Sequence, residues 1–167
     1  AQAIYGIGNS LLYCVEGNSL NDFFESEFDY FQEISPNNII GHGLLMIDHL
    51  THNVFNGRMD HWCGFYQTLF NFHQIRHFDI SGKKTCLVSR ALISPCGTIR
   101  IPINESSDEK SQITEYLIDY KGEGIQHIAL TTSQISSSIE ALSKAEIQFM
   151  EVPSTYYDII EERFPNS

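Results

Sequence analysis

The spacing of apolar residues changes several times along this chain, and each change marks an expected element. Residues 4–15 form an apolar, glycine-containing segment that reads as a turn leading into a strand. Residues 18–38 are acidic and aromatic, with Phe23, Phe24, Phe28, Tyr30 and Phe31, and they end in the turn-rich Ser35-Pro36-Asn37-Asn38. A domain junction is expected near residues 32–42. Beyond it the pattern is regular: a short apolar strand over 44–50, a turn at Asn56-Gly57, and a helix over 58–70. In that helix Met59, Trp62, Tyr66, Leu69 and Phe70 recur at three- and four-residue spacing. Strands over 73–80, 85–93 and 98–104 follow, separated by Ser81-Gly82-Lys83-Lys84 and Ser94-Pro95-Cys96-Gly97, both suited to hairpins.

The order then restarts. A polar loop over 105–110 leads to a helix near 112–119 that Gly122-Glu123-Gly124 stops. A strand over 125–131, a helix over 133–144 with Ile135, Ile139 and Leu142 on one face, a strand over 147–152 and a helix over about 154–163 complete the chain. The first unit reads β-α-β-β-β; the second begins the same way and lacks its last strands. Two such units side by side predict an α+β fold with a curved, half-closed sheet.

Each unit carries a histidine on its first strand, within Ile47-Asp48-His49-Leu50-Thr51-His52-Asn53-Val54 and Gly122-Glu123-Gly124-Ile125-Gln126-His127-Ile128-Ala129. Period-2 alternation places His49 with Leu45 and Ile47 on the interior face and turns Asp48 away from it. Two neutral imidazoles from separated strands supply two corners of a two-histidine, one-carboxylate site for ferrous iron. Taken alone, each reads more readily as a hydrogen-bonded core histidine than as a ligand; their matching places in successive units strengthen the ligand reading of both together. His52 is the nearest rival, three residues from His49. His42, His61, His73 and His77 read as surface or partly buried polar residues.

Composition narrows the function classes. With 42% hydrophobic residues in 167, the chain can bury a core of ordinary domain size. Ten Lys and Arg against 21 Asp and Glu give a formal charge of -11, which argues against nucleic acid and anionic membrane as partners. No run has the length of a membrane span, and the first residues lack a basic region followed by a long apolar stretch, so no export signal is expected. The four cysteines form no Cys-x-x-Cys pair and read as reduced thiols of a cytoplasmic protein.

Several segments together resemble the 4-hydroxyphenylpyruvate dioxygenase family of the vicinal oxygen chelate superfamily. They are the Ile47–Val54 segment, Gly57-Arg58-Met59 with Phe65-Tyr66 and Leu69-Phe70-Asn71-Phe72, Ile101-Pro102-Ile103-Asn104-Glu105, Lys110-Ser111-Gln112-Ile113 and Gly122–His127. Pro153, Tyr156-Tyr157 and Arg163-Phe164-Pro165-Asn166 extend the likeness almost to the last residue. The resemblance implies a vicinal oxygen chelate fold with one complete βαβββ unit and one truncated unit. Residues 1–38 are then a remnant of an N-terminal domain with its linker, and residues 39–167 an incomplete catalytic domain.

It further implies that His49 and His127 are iron(II) ligands and that Ser89, Asn104, Gln112 and Gln126 line the substrate pocket. Strand alternation sets Gln126 opposite His127, which makes its contact with substrate the least direct of the four. The family's third ligand is a glutamate on a late strand, expected beyond residue 167; Glu151, Glu161 and Glu162 do not sit in its motif. The implied reaction converts 4-hydroxyphenylpyruvate and O2 to homogentisate and CO2 in tyrosine catabolism, in an enzyme expected to be a homo-oligomer. These 167 residues by themselves are expected to be inactive and, with an unpaired sheet edge, to self-associate. The alternatives are a hydroxymandelate synthase-like dioxygenase and a fragment without catalysis.

Overall fold

The structure, a computed structural model, describes residues 2–15, 20–29, 41–81 and 86–163. Chain contacts divide it into two compact units, Ala1–Ile39 with Leu45–Thr131, and Ile40–Leu44 with Thr132–Ser167.

The larger unit holds an antiparallel hairpin, β1 (Gln2–Tyr5) with β2 (Leu11–Cys14), closed by a 3-10 turn at Ile7–Asn9. This segment was expected to be a turn and one strand; the chain instead forms a strand on each side of the turn, pairing Gln2 with Cys14 and Tyr5 with Leu11. Gly8 is required there, since its φ is +62° and a Cβ would lie 2.7 Å from the Glu123 carbonyl oxygen. Helix α1 (Leu20–Glu27) follows, and the junction expected at 32–42 falls largely outside the described residues.

The βαβββ unit is complete: β3 (Leu44–Asn53), α2 (Met59–Phe70), β4 (His73–Ser81), β5 (Cys86–Ile93) and β6 (Arg100–Glu105). Helix α3 (Gln112–Tyr120) leads to β7 (Gly124–Thr132), and the sheet order is β4-β5-β6-β3-β7. The crossover through α2 makes β3 parallel to β6, with His52 opposite Ile103 and Asn53 opposite Asn104. Strand β5 runs antiparallel to both neighbours, pairing Leu92 with Ile101 and Ser89 with Asn104.

One sheet face packs on α2. Met59, Trp62, Cys63 and Tyr66 from the helix meet Leu92, Ile101 and Ile103 from the strands and Val54 just past the end of β3. Leu69, expected on that face, is exposed, and Cys63 takes a core place instead, because the buried stripe follows Met59-Trp62-Cys63-Tyr66. The helix start has no side-chain cap of its own; the Glu105 carboxylate accepts from the backbone N–H groups of Gly57 and Met59, both at 3.0 Å. Ser111 caps α3, its Oγ accepting from Thr114 N–H at 3.2 Å.

The smaller unit contains α4 (Ile135–Lys144) and α5 (Ser154–Arg163). The expected apolar face of α4 is not buried, since Ile135 and Ile139 are exposed; Ser138 is the buried residue, with its Oγ 2.7 Å from Thr132 Oγ1. Gly43, at φ +82°, lets the chain approach there, where a Cβ would lie 2.6 Å from Ser138 Oγ. The strand expected over 147–152 is irregular and largely exposed. A strand is stabilised by its pairing, and no described strand pairs with it. Among the described residues, no helix is long and apolar enough to cross a membrane.

Candidate metal centre

Strands β3 and β7 are neighbours in the sheet, so the first strands of the two repeats bring their histidines together. The His49 and His127 rings lie 5.5 Å apart, centre to centre, nearly perpendicular at 73°. Their face is more open than alternation predicted: Leu45 and Ile47 are 67% and 54% exposed, because no described layer covers this end of β3.

Each ring is held by the residue before it. The His49 Nδ1–H donates to Asp48 Oδ2 at 2.7 Å, while Asp48 Oδ1 accepts from the Arg100 guanidinium at 3.0 Å. The hydrogen bond to His49, helped by the Arg100 charge, holds the Asp48 carboxyl below its ordinary range. His127 Nδ1 bonds Gln126 Oε1, and its Nε2 accepts from the Thr51 hydroxyl at 2.9 Å. Desolvation, with the neighbouring His49, pushes His127 below the usual imidazole value. It therefore favours the neutral ring, the form that ligates.

Two imidazoles this close, one kept neutral and one backed by a carboxylate, are a donor set that suits a divalent first-row metal. Among the described residues, no group of three His, Cys, Asp or Glu side chains is placed to hold an ion. Among the described residues, these two imidazoles are the candidate pair.

The polar residues expected beside the histidines divide. Ser89 and Asn104 are cross-strand partners, Asn104 is opposite Asn53, and Asn104 Nδ2 donates to Asn53 Oδ1 at 3.5 Å. A row Ser89-Asn104-Asn53 therefore crosses three strands. Asn53 and Thr51 share a face of β3 by alternation, and Thr51 joins the row to His127. Gln112 is instead the exposed first residue of α3, and no strand register ties it to this row. Gln126 is exposed and touches the His127 ring rather than standing apart from it.

His52 is not a rival ligand. It is fully buried on the other face, with Nε2 2.7 Å from Tyr66 Oη. His61 is exposed against Trp62, His73 and His77 are exposed on β4, and His42 is half-buried. Sequence reasoning passed over Asp48, Arg100 and Thr51. The available signal was an acid directly before the histidine, which alternation alone assigns to the wrong side.

A family profile for the glyoxalase/bleomycin resistance protein/dioxygenase superfamily matches residues 46–158. The chain is 51% identical over 165 residues to hemolysin VllY of Vibrio vulnificus, a match covering 96% of the chain and 45% of that protein. It is likewise 51% identical over 163 residues to a 4-hydroxyphenylpyruvate dioxygenase of Legionella pneumophila, covering 98% of the chain and 45% of the relative. Among solved structures it resembles a fusion of a xylose isomerase-like TIM barrel with a 4-hydroxyphenylpyruvate dioxygenase. That match has a TM-score of 0.71 and 30% identity, and it covers 99% of the chain and 25% of the other. The chain thus spans less than half the length of these curated relatives.

Proposed function

Because the chain belongs to the glyoxalase/bleomycin resistance protein/dioxygenase superfamily, we propose that it supplies the two histidine ligands of an iron(II) site in a 4-hydroxyphenylpyruvate dioxygenase. The observation that carries this reading is the 5.5 Å approach of His49 and His127 from the first strands of successive repeats. The names and identities of the relatives supply the substrate class. The third ligand is a carboxylate outside the present 167 residues. On this reading residues 1–38 belong with an N-terminal domain and residues 39–167 with the catalytic domain, within a cytoplasmic homo-oligomer.

Iron(II), when bound, supplies the Lewis acidity and the dioxygen chemistry that turn 4-hydroxyphenylpyruvate into homogentisate and CO2. The chain's own residues bind and orient. His49 and His127 would hold the metal through Nε2, and Thr51 would then give up its hydrogen bond to His127. Ser89 and Asn104 present adjacent hydrogen-bonding groups to the polar parts of the substrate, while Gln126 steadies the His127 ring. Gln112 completes the pocket only if the start of α3 turns toward it.

The test is anaerobic reconstitution of the intact parent polypeptide with ferrous iron, followed by an assay for homogentisate. Conversion is expected to fall in His49→Ala and His127→Ala by more than the roughly 10–100-fold typical of losing a partner that merely supports a ligand. Full conversion by either variant overturns the assignment. The 167 residues alone are expected to give little or no product.

A further inference from the structure

The two histidines occupy equivalent places, and so do the residues that hold them. In each repeat the side chain immediately before the histidine turns back to accept a hydrogen bond from Nδ1: Asp48 for His49, Gln126 for His127. A regular strand sends adjacent side chains to opposite faces, so this contact is not an automatic result of sequence adjacency. At His49 something further holds it. Arg100, the first residue of β6, binds the second carboxylate oxygen at 3.0 Å, leaving Oδ2 directed at the ring at 2.7 Å. Asp48 thus bridges two strands, with one oxygen committed to each.

We propose that Asp48, fixed by Arg100, is a positioning residue for the metal centre: it holds His49 as the Nδ1–H tautomer, leaving Nε2 as the ring's free lone pair. The inference rests on the metal reading given above. A neutral imidazole carries one N–H and one lone pair, and the partner of one nitrogen decides which is which. A carboxylate accepts but cannot donate, so Asp48 specifies the tautomer without ambiguity. It also places negative charge behind the ring and strengthens Nε2 as a donor. Gln126 offers a neutral amide oxygen in the same position, so the two ligands differ in charge backing. His49 is the stronger donor, and His127 is the ring whose Nε2 is shared with Thr51.

Nitrogen-15 NMR of the histidine-labelled, metal-free chain, above the imidazole titration range, reads the tautomer directly. His49 is expected as Nδ1–H in the native chain, retained in Asp48→Asn, which keeps an acceptor oxygen. A substantial Nε2–H fraction is expected in Asp48→Leu and a smaller one in Arg100→Met. Predominant Nε2–H in the native chain, or no change in Asp48→Leu, overturns the proposal. Cobalt(II) titration reads the consequence, with a loss of about tenfold or more in affinity expected for Asp48→Leu. Unchanged cobalt affinity in Asp48→Leu, when His49→Ala abolishes binding, also overturns it. If His49→Ala leaves cobalt affinity intact, the metal reading fails, while the tautomer measurement still decides the role of Asp48. Arg100→Met perturbs only the outer bond, so the tautomer test survives even if Asp48→Leu does not fold.

Discussion

The Thr51 hydroxyl donates to Nε2 of His127 at 2.9 Å, so a buried side chain on β3 occupies the nitrogen that β7 would offer to a metal. Ligation must break this bond. A neutral hydrogen bond contributes about 1 kcal/mol net, so Thr51→Val, which keeps the volume and removes the donor, is expected to tighten cobalt(II) binding up to about fivefold. Calorimetric or visible-absorption titration measures it. Equal or weaker binding by Thr51→Val would show that the bond assists the site rather than competing with it.

His52 makes stability depend on acid. Burial beside Tyr66 lowers it from 6.5 to about 4, so the folded chain keeps the ring neutral where the unfolded chain takes up a proton. Its contribution is complete above pH 6.5. That contribution is lost progressively as pH falls from 6.5 toward 4, and amounts to about 3 kcal/mol. Urea midpoints across this window should fall more steeply for the native chain than for His52→Gln. Parallel curves would mean that His52 is protonated in the folded protein.

The repeat was legible in the sequence because its parts obey local rules. Alternation and hairpin residues located β4, β5 and β6 to within a few positions, and three- and four-residue spacing located α2. His49 and His127 stood out because each lies on the first strand after a unit boundary. What escaped detection depends on pairing and on neighbours. Residues 147–152 have strand composition but no described partner, and Leu69 has helical spacing but lies at the rim of the buried stripe. The Asp48 contact requires its carboxylate to depart from the face that alternation assigns, and Arg100, distant in sequence, helps to hold it there. The use of Glu105 to cap α2 is likewise invisible until β6 is set beside that helix.

Cys96 lies in the turn between β5 and β6, where hydrogen bonds from Ser94 and Thr98 lower its thiol to about 7. The thiolate is the reactive form. Iodoacetamide at neutral pH should therefore label Cys96 several-fold faster than Cys14, which is also exposed, and peptide mass spectrometry resolves the two sites. Ser94→Ala together with Thr98→Val should remove most of the difference. Equal labelling of the two cysteines in the native chain would contradict the assignment.

Glu123 anchors the start of β7, and its loss should be felt at Trp62. The carboxylate accepts from Trp62 Nε1 at 2.7 Å, from Phe55 N–H at 3.1 Å and from the Arg58 guanidinium at 3.3 Å. Its side chain is only 10% exposed, whereas Arg58 is 45% exposed and can be rehydrated. The cost of Glu123→Ala therefore comes mainly from Trp62, the buried donor left without its acceptor, and should be about 1–3 kcal/mol. Glu123→Gln keeps one acceptor oxygen and should cost roughly half as much. Trp62 is the single tryptophan of the chain, so its fluorescence follows this site alone. Denaturant unfolding followed by that emission should give the order native, Glu123→Gln, Glu123→Ala, with a red-shifted folded baseline in Glu123→Ala as water reaches the indole N–H. A Glu123→Ala chain as stable as the native one, with unshifted emission, would show that the three donors are equally well satisfied without the carboxylate and that β7 is anchored elsewhere.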